Sequence, residues 1–320
     1  MTEMSEIIAS WAPGPIETTE TIAAGPAVAL SGLLDREPAV TGPGDPIPPL
    51  WHWLYFLDRP ATSELGPDGH PAAGHFMPPV PQRRRMYAGG RASYPGAFRC
   101  GDEITRRSEL ADATVKHGRT GELLFVTVRS VFTRAGAVIA TEEQDVVYRS
   151  GPPERPAARG SAGPRRPSEA AGPAAGGSAG PREPSEAAGP AAGGSVGPRG
   201  PAPWQIQIVP DPVLLFRFSA LTYNAHRIHY DADYATGVEG HPGLVVHGPL
   251  LALLCFELPR RHAPRQQVTE LSFRARSPVY VGQRCMVTGG PRDDGSAGCA
   301  MQVAGPDGDV ALTAEGRLSA

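Results

Sequence analysis

The sequence predicts an α+β protein of two domains, the second a curved antiparallel sheet around a helix, and three observations carry that expectation. The chain has 320 residues, about twice one compact core when a domain takes roughly 100–200 residues. A low-complexity repeat divides it: GPRRPSEAAGPAAGGSA from Gly163 is followed from Gly180 by GPREPSEAAGPAAGGSV, and a third copy opens at Gly197. After that repeat, one long apolar segment of helical character precedes several strands with turn residues between them, which calls for a sheet wrapped on a buried helix.

The expected elements run as follows. Residues 1–150 form the N-terminal domain, with a helical opening, an aromatic segment from Leu50 to Leu57 and a Pro/Gly-rich loop from Gly66 to Pro81. The basic run Arg83, Arg84 and Arg85 reads as a solvated turn. Glu122 to Phe132 is β-branched and aromatic, Ala135-Gly136 is a turn, and Ala137 to Arg149 is the return strand of a hairpin. Residues 151–202 hold Ala, Gly, Pro, Ser and a few charges, too little apolar surface to offset the entropy of ordering, so they read as a flexible linker. In the C-terminal domain, 203–320, Trp204 to Phe218 reads as extended and Phe218 to Asp231 as a polar loop rich in His and Asn. A helix is expected from Pro249 to Arg261, with Gly248 at its N-cap and proline at its first position. Three strands follow, the first over Val268 to Val279, with turns at Asp294-Gly295 and Pro306-Asp307-Gly308.

Composition narrows the function. The net charge of −3 gives no general attraction to nucleic acid or to an anionic membrane. Cys100, Cys255, Cys285 and Cys299 include no CxxC pair, so they suggest neither a zinc knuckle nor a disulfide framework. The N-terminus is acidic and lacks an apolar h-region, and the longest apolar stretch is too short to span a bilayer, so a cytoplasmic protein is expected.

The expected helix carries Leu250, Leu251, Leu253, Leu254, Phe256 and Leu258 on nearly every side and should therefore be buried. Its buried start leaves unpaired amides at a positive dipole end, a place for an oxygen that gains negative charge during a reaction. Just upstream lies Ser219-Ala-Leu-Thr-Tyr-Asn-Ala-His-Arg-Ile-His-Tyr-Asp231. This loop resembles the active-site loop of the MaoC-like (R)-specific enoyl hydratases, whose pattern is roughly Gly-Asp-x-Asn-Pro-Ile-His-x-Asp. Gly243-Leu-Val-Val-His-Gly-Pro-Leu250 resembles the same family's second motif. The likeness is strongest to a two-domain branch, the mesaconyl-C4-CoA hydratases and their dehydratase relatives. It extends to residues 48–56, Met77 to Met86 and Gln144 to Arg149.

The resemblance implies two hot-dog domains, the first degenerate and shaping the acyl tunnel, the second catalytic. It implies a hydratase or dehydratase of acyl thioesters with His229 as the central acid/base residue and Gly248 N–H as oxyanion donor. The family's Asp falls on Asn224, which has no titratable group but whose carboxamide oxygen can hold the attacking water. His226, Asp231 and His247 are candidate assisting residues, and Arg83, Arg84, Arg85 and Arg227 candidate binders of substrate phosphate or carboxylate. The implied partner is an acyl-CoA or acyl-carrier thioester, with coenzyme A entering only as part of the substrate and a homodimer as the candidate assembly. His226, His229, His241 and His247 lack the compact spacing of a metal site, so no metal is expected. Two other readings stand beside this one. A hot-dog thioesterase would need a carboxylate at the helix start, for which Asp231 and Glu239 are the candidates, and a thioester-binding module would lack catalysis altogether.

Overall fold

The computed structural model describes residues 4–80, 83–118, 121–150, 204–292 and 294–319. The repeat expected to act as a linker, 151–202, lies outside these residues. The opening is not wholly helical: helix α1 (Met4–Ile8) is followed by strand β1 (Ile16–Thr21) and then helix α2 (Ala24–Leu33). The sequence of β1, IETTET, is β-branched at four of six positions, and that local signal decides it. Trp51–Leu54 form a 3-10 turn inside the aromatic segment. The basic run expected as a turn instead opens strand β2 (Arg83–Ser93). It is paired residue by residue with the end of the return strand, Arg84 with Arg149 and Arg85 with Tyr148. Strands β3 (Glu103–Gly118), β4 (Gly121–Arg134) and β5 (Ala137–Ser150) complete this half. The β4–β5 hairpin turns at Ala135 and Gly136, both with positive φ (48° and 82°), which is the geometry that matches strand twist.

The second half begins with strand β6 (Trp204–Ile208), but the extended run expected to reach Phe218 stops there. Helix α3 (Pro212–Leu221) takes over, because Asp211 caps it by accepting from Leu214 N–H at 2.7 Å and Pro212 needs no donor in the first turn. Phe218 and Ser219 are thus helical, and the polar loop starts after Leu221. Helix α4 (Ala232–Gly237) and the buried helix α5 (Gly248–His262) follow. The N-cap of α5 is His247 rather than Gly248, so Gly248 is the first helical residue. Four strands, not three, come next: β7 (Val268–Ala275), β8 (Cys285–Pro291), β9 (Gly298–Ala304) and β10 (Val310–Leu318). The expected turns at Gly295 and Gly308 lie between them, each with positive φ.

All ten strands form one sheet in the order β1-β3-β4-β5-β2-β7-β10-β9-β8-β6. The first five belong to one half and the last five to the other, and β2–β7 is the seam. Helix α5 packs against the strands of its own half, while α2 lies beside α3 and the Trp51–Leu54 turn. Leu30 and Trp51 share a core with Ile104, Phe132 and Ile139, while Leu250, Leu253 and Leu258 of α5 pack with Leu271, Val287, Val303 and Leu312. Both sets belong to a single continuous cluster. The four cysteines are free and buried, and no helix among the described residues is long and apolar enough to cross a membrane.

The seam depends on two glycines. Gly89 (φ 156°) pairs with Arg274, and a Cβ there would lie 2.3 Å from Phe273 O; a Cβ on Gly90 would lie 2.8 Å from Glu143 O and 3.0 Å from the Phe273 ring. Neither backbone atom can yield without opening a ladder. Gly89→Ala is therefore expected to lower stability by roughly 1–3 kcal/mol, read as a lower midpoint in urea denaturation.

Candidate active site

A cavity of about 1450 Å³ is lined by residues of both halves. From the first come Trp53, Arg85, Tyr87, Phe132 and Glu142, and from the second Asn224, His226, His229 and Gly248. Three local arrangements place the second set. Thr222 closes α3, Tyr223 takes a positive φ of 51°, and Asn224 Oδ1 then accepts the backbone N–H of His226 at 3.0 Å. This turn ends in a short 3-10 helix, Arg227–His229, that delivers His229 to the wall. The chain next passes through α4, whose N-cap is Asp231, and returns at Val245 to meet His229.

His229 is 7% exposed, and its Nδ1 lies 2.7 Å from Val245 O. A carbonyl oxygen only accepts, so Nδ1 carries the proton and Nε2 keeps a lone pair. The ring stacks on His247, with centroids 3.6 Å apart and planes at 19°, and meets His226 edge-on at 5.4 Å. Burial is the main reason that the His229 pKa falls from 6.5 to about 4, although the Val245 carbonyl works the other way. Burial also takes His226 down to about 2, with His70 and His229 adding to the effect, and holds His247 well below the ordinary histidine range. All three are neutral imidazoles at neutral pH.

Gly248, as the first residue of α5, has no intrahelical acceptor for its N–H, and it sits at the positive end of a fifteen-residue helix. A Cβ at this position would stand 3.1 Å from Tyr87 Cδ1, so glycine lets the aromatic wall close on the helix start. Tyr87 stacks on Phe273 and meets Trp53 edge-on, and its hydroxyl is buried without a partner among the described residues.

The other residues expected at the site divide. His247 is not part of the cavity wall: it lies behind His229, 1% exposed, with Nε2 2.9 Å from Ser219 Oγ. Asp231 is also absent from the wall, since its carboxylate accepts Tyr234 N–H and both Nε and Nη2 of Arg227. Arg227 is used up in the scaffold, bonded to Asp231 and to Pro67 O and stacked over Tyr234 at 4.1 Å. Arg84 lines the cavity but pairs with Glu239 at 3.4 Å, while Arg85 lines it as an exposed residue. Arg83 opens β2.

Sequence reasoning passed over the first half's own polar groups. Glu142, 5% exposed, accepts from Trp53 Nε1 at 2.5 Å and lies 3.3 Å from His52 Nε2, and His52 in turn stacks on Phe98. Asp68 and His70 come from the loop read only as Pro/Gly-rich. Asp68 Oδ2 lies 3.2 Å from His70 Nδ1, and the His70 ring is 4.0 Å from that of His226. The ligand atoms of Asp68, His70 and His226 lie within 4.8 Å of one another, close enough to converge on a cation. Within this group Asp68 and His70 are hydrogen-bonded to each other, and the His226 ring joins them by ring contact alone among the described residues. The dipeptide Asp68-Gly69 before a histidine was the available signal.

The comparisons decide the family. The family model for hydroxyacyl-thioester dehydratase type 2 matches residues 50–173 and 186–281. This chain belongs to that family. It is 36% identical over 305 residues to Mesaconyl-C(4)-CoA hydratase of Chloroflexus aurantiacus, covering 95% of each chain. It is 43% identical over 76 residues to the mitochondrial hydroxyacyl-thioester dehydratase type 2 of Schizosaccharomyces pombe, covering 23% of this chain and 25% of the other. Among solved structures, a MaoC-like dehydratase from Phytophthora capsici superposes with a TM-score of 0.59 at 12% identity, covering 99% and 98% of the two chains. A double-hotdog protein of Mycobacterium tuberculosis does so with a TM-score of 0.54 at 12% identity, covering 98% of each. At such identities these structures share the fold, which is a double hot-dog.

The protein is accordingly a hydro-lyase of acyl thioesters, as its sequence leads one to expect. The buried histidines give it a pH signature. A histidine whose folded pKa lies below 6.5 favours folding only while it is neutral. Above 6.5 that contribution is complete, and below it the unfolded chain takes up protons that the folded chain refuses. The urea midpoint of this dehydratase-family protein is therefore expected to fall as pH is lowered from 6.5 toward 4, the window set by His229, with His226 extending it further down. His229→Ala should flatten part of that slope.

Proposed function

We propose that the chain hydrates or dehydrates short enoyl-CoA and 3-hydroxyacyl-CoA thioesters at the His229 site. The observation that carries this is the fixed tautomer of His229. Its Nδ1–H is spent on Val245 O, so a basic Nε2 is left on a cavity wall that also holds the free N–H of Gly248. In hydration, Nε2 takes a proton from water as the oxygen adds to Cβ. Negative charge moves onto the thioester oxygen, and Gly248 N–H with the α5 dipole stabilises it, an effect typically worth about 3–4 kcal/mol for one such donor. Asn224 borders the same wall. One oxygen lone pair is committed to His226 N–H, and the other can accept a hydrogen bond from the attacking water.

In this reading the second half carries the His229 base and the oxyanion donor, and the first half shapes the acyl pocket. The relative from Chloroflexus acts on a mesaconyl thioester, whose acyl group bears a second carboxylate. Arg85, exposed on the wall, is the cation suited to such a group, so a short dicarboxylic acyl chain is the favoured substrate. Polar Glu142, Gln144 and Ser108 farther along the wall disfavour a long apolar tail.

Incubation with crotonyl-CoA and with mesaconyl-CoA should bleach the enoyl absorbance without releasing free thiol, whereas a thioesterase would release it. His229→Ala should cut that turnover by roughly 10²–10⁴-fold with the fold retained, as loss of an acid/base group commonly does; near-parental turnover would move the chemistry elsewhere. Asn224→Asp tests the electrostatics. A carboxylate two residues from His226 and beside the same wall favours the imidazolium, so the His229 pKa should rise from about 4. The free base then appears at higher pH, and the acid limb of the kcat/KM profile should shift upward relative to the parent. An unmoved limb would show that residue 224 does not sense His229.

A further inference from the structure

Addition of water needs two proton transfers, one from the water and one to Cα, and in the reading above His229 Nε2 performs the first. Asn224 has no titratable proton. His226 stays neutral through the physiological range, and His247 is sealed behind His229. The candidates for a separate donor to Cα lie elsewhere on the wall.

We propose that His70, oriented by Asp68, is the second proton-transfer residue of this enzyme, contributed by the first half of the chain to the His229 site of the second. Three observations place it there. First, the loop that carries it is docked on the catalytic loop by its backbone: Arg227 N–H donates to Asp68 O at 2.8 Å, and Arg227 Nη1 to Pro67 O at 2.9 Å. Gly69, at φ 86°, makes that docking possible, because a Cβ there would stand 1.9 Å from Ala225 O. Second, Asp68 grips His70 twice, accepting its backbone N–H at 3.1 Å and its ring Nδ1 at 3.2 Å. A carboxylate accepts, so Nδ1 carries hydrogen and Nε2 is the atom left to hold and release a proton. Third, Asp68, His70 and His226 all line the cavity, and the ring sequence His70, His226, His229 is continuous at 4.0 and 5.4 Å. The other carboxylate-paired imidazole on the wall, His52 with Glu142, is 2% exposed and boxed in by Phe98 and Phe132.

The step balances. The water oxygen bonds to Cβ, the π pair shifts to Cα and the thioester oxygen, and His229 Nε2 takes the water proton. His70 Nε2–H then gives its proton to Cα, and the enolate returns to the thioester. Each turn leaves His229 protonated and His70 neutral, and solvent resets both with no net change. Asp68 acts through His70 and is a positioning residue.

This assignment rests on the hydratase reading, so the parent is first shown to bleach crotonyl-CoA and His229→Ala to lose that activity. His70→Ala should then lower kcat by roughly 10²–10⁴-fold with KM little changed. Added imidazole, able to enter the space left by the ring, should restore part of kcat. Asp68→Asn should lower kcat alone but add nothing to His70→Ala, since it acts only through that ring. If His70→Ala does not fold, His70→Gln, which keeps most of the side-chain volume, gives the same comparison of kcat with KM. Near-parental kcat in a folded His70 variant overturns the assignment while leaving the His229 reading in place. Activity abolished by chelator and restored by Zn²⁺ also overturns it, since Asp68, His70 and His226 would then be metal ligands.

Discussion

Strand β2 is the constraint on which both halves depend. One edge pairs with β5 and the other with β7, so a single strand closes the first sheet and opens the second. Its register is fixed where two consecutive glycines let the backbone pass under Phe273, and the register shift between Tyr87 and Gly89 re-aims the strand just before that point. Upstream of the shift, β2 brings Arg84, Arg85 and Tyr87 to the cavity. Tyr87 then meets Gly248, at the first turn of the buried helix of the other half. The wall of the cavity is thus built by the same strand that joins the two sheets. A slip of one residue would turn Tyr87 from the helix start and place its neighbours on the wrong face.

Burial sets the electrostatics of this wall. The imidazoles of His226, His229 and His247 lie in ring contact, where placing a charge on any one of them is costly. Their low pKa values follow from desolvation, reinforced for His226 and His247 by their histidine neighbours. A neutral His229 is the form that accepts a proton, so in the proposed reading the desolvation that lowers stability at low pH also keeps the base free. The first half uses the opposite device: Glu142 is buried but stays in the low carboxylate range because His52, Trp53 and Gln144 compensate it.

Much of the second half was legible from sequence because its signals are local. The apolar run after Gly248, the Asp-Gly turns and the alternation of Leu271 and Phe273 with Ser272 and Arg274 each specify an element within a few residues. The failures are also local and physical. The Asp211-Pro212 pair is a cap followed by a first-turn proline, and it starts a helix inside the run that was expected to stay extended to Phe218. The N-cap of α5 shifted by one residue because cap position depends on backbone angles that composition does not reveal; His247 holds the extended conformation and Gly248 is already helical. The loop around His229 was legible as a cluster of polar residues, but the division of labour within it was not. Whether Arg227 binds substrate or Asp231, and whether His247 faces the cavity or backs His229, depends on long-range packing. Asp68 and His70 are separated from His226 by more than one hundred and fifty residues, and no periodicity links them.

The same packing bears on the choice among acyl-thioester chemistries. A hot-dog thioesterase needs a carboxylate free to attack or to activate water near the helix start. Both carboxylates considered from sequence are committed elsewhere: Asp231 caps α4 and holds Arg227, and Glu239 holds Arg84. Releasing either would cost a charge-assisted hydrogen bond and, for Asp231, a helix cap worth about 1 kcal/mol. Glu239 and Asp68 both line the cavity, Glu239 paired with Arg84 and Asp68 with the His70 imidazole. Imidazole nitrogen and a backbone N–H are among the groups the wall presents. In the proposed reading those groups move protons and stabilise an enolate, which suits addition and elimination of water at the acyl chain rather than attack at the thioester carbon.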